Sequence, residues 1–106
     1  MVLIPFPFTD LRSRKLRPAV VLARSGVDDV ILAFVTSRVP TDPGPVDHVL
    51  QPGDPEFGNC GLRAASVIRV DKLATLNRGL VARRLGRIGP ATQAAIDRCL
   101  RHLFRL

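Results

Sequence analysis

The chain contains few residues of the kinds that bind metals. It has two cysteines and two histidines among 106 residues. Cys60 and Cys99 lie far apart without a CxxC spacing, and a zinc site needs about four ligands. We therefore predict that both cysteines are reduced, that Cys99 is a core residue, and that the chain uses neither a metal nor a cofactor.

Long apolar segments and common catalytic motifs are also lacking. No apolar run approaches the ~20 residues that a membrane span needs. The chain starts directly in a short apolar run, without the basic region of a signal peptide. A glycine-rich phosphate loop, a serine triad and a paired-carboxylate motif are not found. Since 46% of the residues are hydrophobic, one core can be filled, and we expect a single cytoplasmic domain over residues 1–106.

Acidic residues are in short supply and unevenly distributed. The chain has nine acids and 16 cations, which gives a net charge of +7. The net charge is +4 in residues 1–24, −5 in residues 25–56 and +8 in residues 57–106. Two basic segments on either side of an acidic one indicate a surface that binds phosphate groups. Arginine supplies 14 of the cations, and its planar fork suits phosphate, although a compositional bias towards arginine also explains part of the excess.

A basic loop joins two apolar runs that have the composition of buried strands, Val2–Phe8 and Ala19–Arg24. Its cations are Arg12, Arg14, Lys15 and Arg17. Because like charges repel, their clustering indicates an anionic partner. Pro18 biases Arg17 towards an extended backbone where the loop re-enters the sheet, so we expect this cation to have a fixed position. Alternatively, Arg17 caps a strand end or pairs with Asp10.

The third apolar run, Val30–Ser37, ends in the hydroxyl-bearing residues Thr36 and Ser37. Hydroxyls at a strand end, on the rim of a sheet, commonly contact ligands, although ordinary β-propensity also explains Thr36. Residues 39–60 are rich in proline and glycine. This composition predicts a loop, interrupted by a short strand at Val46–Leu50.

In the next predicted strand, Ala65–Val70, Arg69 lies two residues before Asp71. The two-residue period of a strand places both side chains on one face. The simpler interpretation is a salt bridge, and the alternative is an acid–base couple with a substrate over that face. The strand continues over Lys72–Asn77, and a last short strand is predicted at Val81–Ile88.

Gly89 and Pro90 mark the start of a C-terminal helix. Apolar side chains recur along it at helical spacing, namely Ile96, Cys99, Leu100, Leu103 and Phe104. This stripe predicts about four turns packed on a sheet. Because the strands show no βαβ alternation, we predict a mainly β fold with a C-terminal α-helix, organised as a small, highly curved antiparallel barrel.

Three segments resemble successive signature blocks of the MazF/PemK toxin family. They read IPFPFTDLRSRKLRPAVVLA, VILAFVTS and SVIRVDKLATL, and the closing RRLGRI with the helix after it is similar to the family's C-terminus. The order and spacing match over nearly the whole chain. The most specific blocks are Leu16-Arg17-Pro18 and Arg69-Val70-Asp71.

The resemblance implies an SH3-like barrel of the MazF/Kid/CcdB type that forms a homodimer and cuts single-stranded RNA without a metal. It also implies silencing by a cognate acidic antitoxin, with operator DNA bound only by the toxin–antitoxin complex. In such toxins the arginine before the proline is catalytic, and the threonine that ends the third strand binds the scissile phosphate. In the PemK branch of the family, an arginine and an aspartate two residues apart act as acid and base. The matching residues here are Arg17, Thr36, Arg69 and Asp71. The candidate RNA-binding residues are Arg12, Arg14, Lys15, Ser37 and Lys72.

The implied chemistry suits these side chains. Attack of the RNA 2′-OH on the neighbouring phosphate leaves a 2′,3′-cyclic phosphate and a 5′-OH. It requires a base, cations for the charged transition state and a proton for the leaving oxygen. Asp71 is the candidate base, and Thr36 is a hydrogen-bond donor to the phosphate. Because a guanidinium hardly releases its proton, we expect Arg17 and Arg69 to act by electrostatic stabilisation.

Two other functions are compatible with the sequence. A catalytically degenerate member of the family would bind RNA, or operator DNA together with an antitoxin in transcriptional autoregulation, and would leave RNA intact. A toxin that poisons a protein is the other, since a similar barrel acts against DNA gyrase. A protein poison, however, needs no set of arginine, threonine and aspartate.

Overall fold

Over the residues that the structure describes, the fold is a six-stranded antiparallel sheet followed by a C-terminal helix. The computed structural model of the chain describes residues 1–5 and 15–106, and the predicted RNA-binding residues Arg12 and Arg14 lie outside them. The strands are β1 (Val2–Pro5), β2 (Leu16–Ser25), β3 (Asp29–Thr36), β4 (Asp47–Leu50), β5 (Ser66–Asn77) and β6 (Arg83–Arg84). The helical segments are α1 (Phe57–Cys60), a 3₁₀ turn (Arg78–Leu80) and α2 (Pro90–Phe104).

The strands lie in the order β4-β5-β3-β2-β1-β6, and all neighbours are antiparallel. The three longest strands, β2, β3 and β5, form the centre of the sheet. Within the described part of the chain, β4 and β6 each pair on one side only, so the sheet stays open there and does not form a complete barrel. The predicted mainly β fold with a C-terminal α-helix is confirmed.

The central strand β3 is buried on both faces. On one face, Ala33 and Val35 belong to a core cluster that α1 and α2 complete with Phe57, Cys60, Ile96 and Cys99. On the other, Leu32 belongs to a second cluster with Val2, Ile4, Ala19 and Val30. This burial accounts for the continuous apolar run of β3. The polar residues of β3 are accordingly its first and last, Asp29 and Thr36.

The C-terminal helix packs largely as its apolar stripe predicts. Ile96 is fully buried and Cys99 is 8% exposed, which confirms Cys99 as a core residue. Cys60 and Cys99 are both free thiols. The assignment of Phe104 to the buried stripe is wrong, because this side chain is 56% exposed at the last helical residue. No helix in the described ranges is long and apolar enough to cross a membrane.

Two segments differ from the sequence prediction. The predicted loop over residues 39–60 contains α1, a single turn too short to show a helical period, whose Phe57 and Cys60 are buried. The predicted strand Val81–Ile88 is reduced to β6. Its backbone leaves the ladder because the amides of Leu85 and Gly86 donate to the Met1 carbonyl instead.

Glu56 supplies the N-terminal cap of α2 from a distant part of the chain. Its carboxylate accepts hydrogen bonds from the amides of Ala91 (2.9 Å) and Thr92 (2.7 Å). These amides would otherwise lack a partner in the first helical turn. The Thr92 hydroxyl and the two amides stabilise the anion and hold the pKa of Glu56 below its ordinary value of 4.5.

We expect Glu56→Gln to lower the Tm by several degrees at neutral pH, because the neutral amide is a weaker acceptor at the helix N-terminus. A lowered carboxyl pKa contributes stability that is fully present above the ordinary value of 4.5 and is lost as the pH falls through the folded-state value. The Tm difference from wild type should therefore shrink in acid. Thermal melts across this pH range measure it, with Asp42→Asn in the exposed loop as control; a constant difference would contradict the capping role.

Candidate active site

A surface cleft of about 620 Å³ lies where β2 begins, β3 ends and β5 is irregular. Its lining residues are Arg17, Phe34, Val35, Thr36, Arg38, Arg69, Lys72 and Leu73. They come from three strands that are neighbours in the sheet, and from the residues just beyond β3. The cleft thus brings together four residues that the sequence singled out, namely Arg17, Thr36, Arg69 and Lys72.

Arg17 is the second residue of β2 and is half-buried. In the ladder it lies opposite Ile4 of β1, and its neighbour Pro18 lies opposite Leu3. On the other side of β2 the register pairs Ala19 with Phe34 of β3. Extending that register by two residues places Arg17 level with Thr36. The strand pairing therefore fixes where the guanidinium stem leaves the sheet.

Thr36 is the last residue of β3. Its hydroxyl oxygen accepts a hydrogen bond of 3.2 Å from the backbone amide of Arg38. A threonine hydroxyl that accepts one hydrogen bond can still donate its proton, so Thr36 can donate to a ligand oxygen in the cleft. The same turn places Arg38 along the cleft wall.

A pronounced bulge in β5 shapes the other wall. Ala33 pairs with Leu73, whereas the next residue of β3, Phe34, pairs with Arg69, so β5 holds three extra residues at this point. Within the bulge Val70 is buried, and its amide donates to the carbonyl of Val46. Bulges redirect side chains at functional sites. The expected two-residue alternation is interrupted here, and the bulge sets the position of the exposed residues 71 and 72.

Arg69 lies between two carboxylates. One terminal nitrogen is 3.2 Å from Oδ2 of Asp71, and its Nε is 3.7 Å from Oδ1 of Asp47. Asp47 lies directly opposite Arg69 in the β4–β5 ladder. The predicted proximity of Arg69 and Asp71 is therefore observed as an ion pair. Asp71 does not line the cleft, but it contacts Arg69, which does.

The remaining predicted residues lie beyond the cleft lining. Lys15 and Ser37 are exposed just before β2 and just after β3, and Arg12 and Arg14 are outside the described residues. Four residues that line the cleft were not predicted as site residues, namely Phe34, Val35, Arg38 and Leu73, and neither was Asp47 beside it. A signal existed for Arg38, since it is the sole cation in the acidic segment 25–56. The cross-strand pairing of Asp47 had no local signal.

The electrostatic character of the cleft is cationic. Three arginines and one lysine line it, and among the described residues two acids, Asp47 and Asp71, contact Arg69. Such a surface attracts an anion with spaced negative charges, for which the arginine fork is suited. Within residues 1–5 and 15–106, no group of three or more His, Cys, Asp or Glu side chains is placed to hold a metal ion.

A second cleft, of about 660 Å³, lies at the start of α2. It includes Arg84 and Arg87 but none of the residues predicted to form the site. Its one acid, Glu56, is occupied in capping α2. The cleft at the end of β3 is therefore the candidate active site.

Comparisons with known proteins relate the chain to a toxin family. The profile of the family described as PemK-like, MazF-like toxin of type II toxin–antitoxin system matches residues 1–104. A mycobacterial endoribonuclease solved in complex with its cognate antitoxin has a TM-score of 0.73 at 19% identity, over 99% of this chain and 90% of that chain. The Mycobacterium tuberculosis toxin MazF-mt6 has a TM-score of 0.72 at 19% identity, over 100% and 98%. No curated protein gave a significant sequence match. The likeness confirms the predicted MazF-like fold class.

Proposed function

The chain belongs to the PemK-like, MazF-like toxin family of type II toxin–antitoxin systems, and we propose that it is an endoribonuclease that cleaves single-stranded RNA, mRNA in particular, without a metal ion. The observation that carries the proposal is the cleft that joins Arg17, Thr36 and Arg69, with Asp71 in contact with Arg69. Cations alone would attract RNA without cleaving it. A hydroxyl donor and a carboxylate beside them supply the further groups that phosphate transfer requires.

In the proposed reaction the RNA supplies its own nucleophile. Asp71 takes the proton of the 2′-OH as the 2′-oxygen bonds to phosphorus. Arg17 and Arg69 stabilise the charge that develops on the phosphate oxygens, and Thr36 donates a hydrogen bond to one of them. The bond from phosphorus to the 5′-oxygen breaks, and that oxygen takes a proton from water, because the guanidinium is a poor proton donor. Asp71 then gives its proton to the hydroxide that remains, which restores the carboxylate. The products are a 2′,3′-cyclic phosphate and a 5′-OH.

The proposal extends to partners. A cognate antitoxin with an acidic segment would cover the cationic cleft, and the mycobacterial endoribonuclease with this fold was solved with its cognate antitoxin. Charge complementarity with the +7 chain favours such a segment. We further propose that the toxin is a cytoplasmic homodimer and contacts operator DNA only as part of the toxin–antitoxin complex.

The first test is incubation of the purified chain with a mixed RNA in the presence of EDTA, followed by mapping of both product ends. Cuts at a short recurrent motif, with cyclic-phosphate and 5′-OH ends, are the expected result. A chimeric oligonucleotide with a single 2′-deoxy group at the cleaved position should resist cleavage. RNA that is bound but stays intact would instead favour the non-catalytic alternative.

Arg38 is expected to contribute to binding rather than to chemistry. Arg38→Ala should weaken RNA binding similarly for all sequences and reduce the salt slope by about 0.7 if it contacts one phosphate. The hydrogen bond to Thr36 comes from the backbone amide of Arg38, so the substitution leaves it in place. Fluorescence anisotropy with a non-cleavable 2′-O-methyl RNA at several salt concentrations measures both quantities.

The matched control is Arg98→Ala, which removes an exposed arginine from α2, outside the cleft. Equal losses of affinity in the two variants would mean that net charge, rather than the cleft, governs binding. A selective fall in kcat for Arg38→Ala, with KM unchanged, would contradict the binding role.

A further inference from the structure

Arg69 is held at two different points of its side chain by two acids of different exposure. Nε lies 3.7 Å from Oδ1 of Asp47, whose side chain is 14% exposed. The terminal nitrogen lies 3.2 Å from Oδ2 of Asp71, whose side chain is 31% exposed. The contact with Asp47, called the inner contact below, is thus the more protected from water. The contact with Asp71 lies at the surface, where a ligand can compete for it.

The position of Asp47 is fixed independently of Arg69. Its Oδ2 accepts a hydrogen bond of 3.0 Å from the amide of Gly44, and its own amide donates to the Gly44 carbonyl at 3.1 Å. These two bonds close a turn before β4. Because one carboxylate oxygen serves this turn, the other is left to meet Arg69 across the β4–β5 ladder.

The inner contact is close but not fully formed. Within the part of the chain that the structure describes, Oδ1 of Asp47 and Nε of Arg69 are both buried atoms that make no hydrogen bond. A buried donor and a buried acceptor without partners are costly. A shift of roughly 0.5 to 0.9 Å would turn the 3.7 Å ion pair into a charge-assisted hydrogen bond.

We propose that Asp47 is a positioning residue. It holds Nε of Arg69 in place while the terminal nitrogen of Arg69 leaves Asp71 and binds the substrate phosphate. The exchange frees Oδ2 of Asp71 to accept the proton of the 2′-OH. Without the inner contact, Arg69 could not leave Asp71 and remain aligned with the phosphate. This inference rests on the proposed ribonuclease function.

Asp47→Asn separates this role from that of the turn. The asparagine oxygen can still accept from the Gly44 amide, but the amide nitrogen then faces Nε of Arg69, and both are donors. We expect kcat to fall about 10- to 100-fold with KM changed by less than about threefold, because Arg69 is misaligned rather than lost. Asp42→Asn, an exposed acid in the preceding loop, is the control and should behave as wild type.

A double-mutant cycle distinguishes positioning from a purely structural role. Arg69→Lys keeps a cation but removes Nε and the planar fork. If Asp47 acts through Arg69, adding Asp47→Asn to Arg69→Lys should change kcat little further. Additive losses of kcat in the double mutant, or unchanged kinetics in Asp47→Asn, would overturn the inference about Asp47. The ribonuclease proposal would still stand in either case, provided that the wild-type chain cleaves RNA.

A measurement that does not depend on cleavage completes the test. In nitrogen-edited NMR spectra, the Arg69 Nε–H signal, identified by its loss in Arg69→Lys, should exchange slowly with water in wild type and fast in Asp47→Asn. If the wild-type chain cleaves no RNA, the ribonuclease proposal fails, and an equal exchange rate in both proteins would reject the inner contact as well. If Asp47→Asn does not fold, Asp47→Ser is used instead in each assay, because serine retains an acceptor for the Gly44 amide.

Discussion

Replacement of Arg17 by alanine is expected to abolish RNA cleavage, with a loss of about 10³-fold or more in kcat/KM. Arg17 lies in the cleft at the start of β2, level with Thr36, where the strand pairing fixes its backbone. Its proposed role is to stabilise the charge of the five-coordinate phosphate. That charge is greatest in the transition state, so kcat should fall more than RNA affinity.

The fold should survive this substitution. Arg17 is half-buried and belongs to neither of the two core clusters. Circular dichroism and thermal melts of Arg17→Ala should therefore resemble those of wild type, and expression of the variant should no longer arrest growth. Single-turnover cleavage of a mapped RNA substrate provides the rate.

Arg24→Ala is the matched control, since Arg24 is an exposed arginine of the same strand, roughly 20 Å further along it. It removes the same charge and should retain cleavage within about twofold, as expected for a distant surface charge. If both variants lose activity equally, overall charge explains the effect. If Arg17→Ala cleaves at the wild-type rate, the proposed site is incorrect.

Local sequence signals predicted the parts of this site that depend on a single strand. The proline after Arg17 indicated an extended residue where the chain enters the sheet, and Arg17 does lie in β2, although this strand begins at Leu16 rather than at the predicted Ala19. The hydroxyls after an apolar run indicated the end of a strand, and Thr36 is the last residue of β3. The apolar stripe of the C-terminal helix was equally readable, except at Phe104, where the helix ends and its surface is open.

Features that depend on pairing between distant strands had no such signal. Asp47 meets Arg69 only because β4 lies at the edge of the sheet beside β5. The bulge between residues 69 and 73 depends on the register with β3, which a two-residue period cannot reveal. The turn α1 was missed because four residues are too few to show a period. Sequence therefore predicted which side chains lie together in the cleft better than the contacts that orient them.

Replacement of Asp71 by asparagine is expected to lower the cleavage rate about 10²- to 10⁴-fold, the usual contribution of a general base. Asparagine has nearly the shape of aspartate and can still accept a hydrogen bond from Arg69, but it cannot take up the proton of the 2′-OH. Removing a negative charge beside the phosphate should leave RNA affinity unchanged or raise it. The cleavage rate should thus fall while RNA affinity is retained or increased. Quenched cleavage assays measure the rate, and anisotropy with 2′-O-methyl RNA measures the affinity.

The chain contains a matched control for this substitution. Asp28 also forms an ion pair with an arginine, with 3.6 Å between its Oδ1 and Nε of Arg78, at the opposite end of β3 from Thr36. Asp28→Asn removes the same charge from the same kind of pair and should leave the cleavage rate unaltered. Equal losses in the two variants would trace the effect to net charge. A loss in Asp71→Asn with a matching loss of RNA affinity would assign Asp71 to holding Arg69 in place, and the base would then have to be another group.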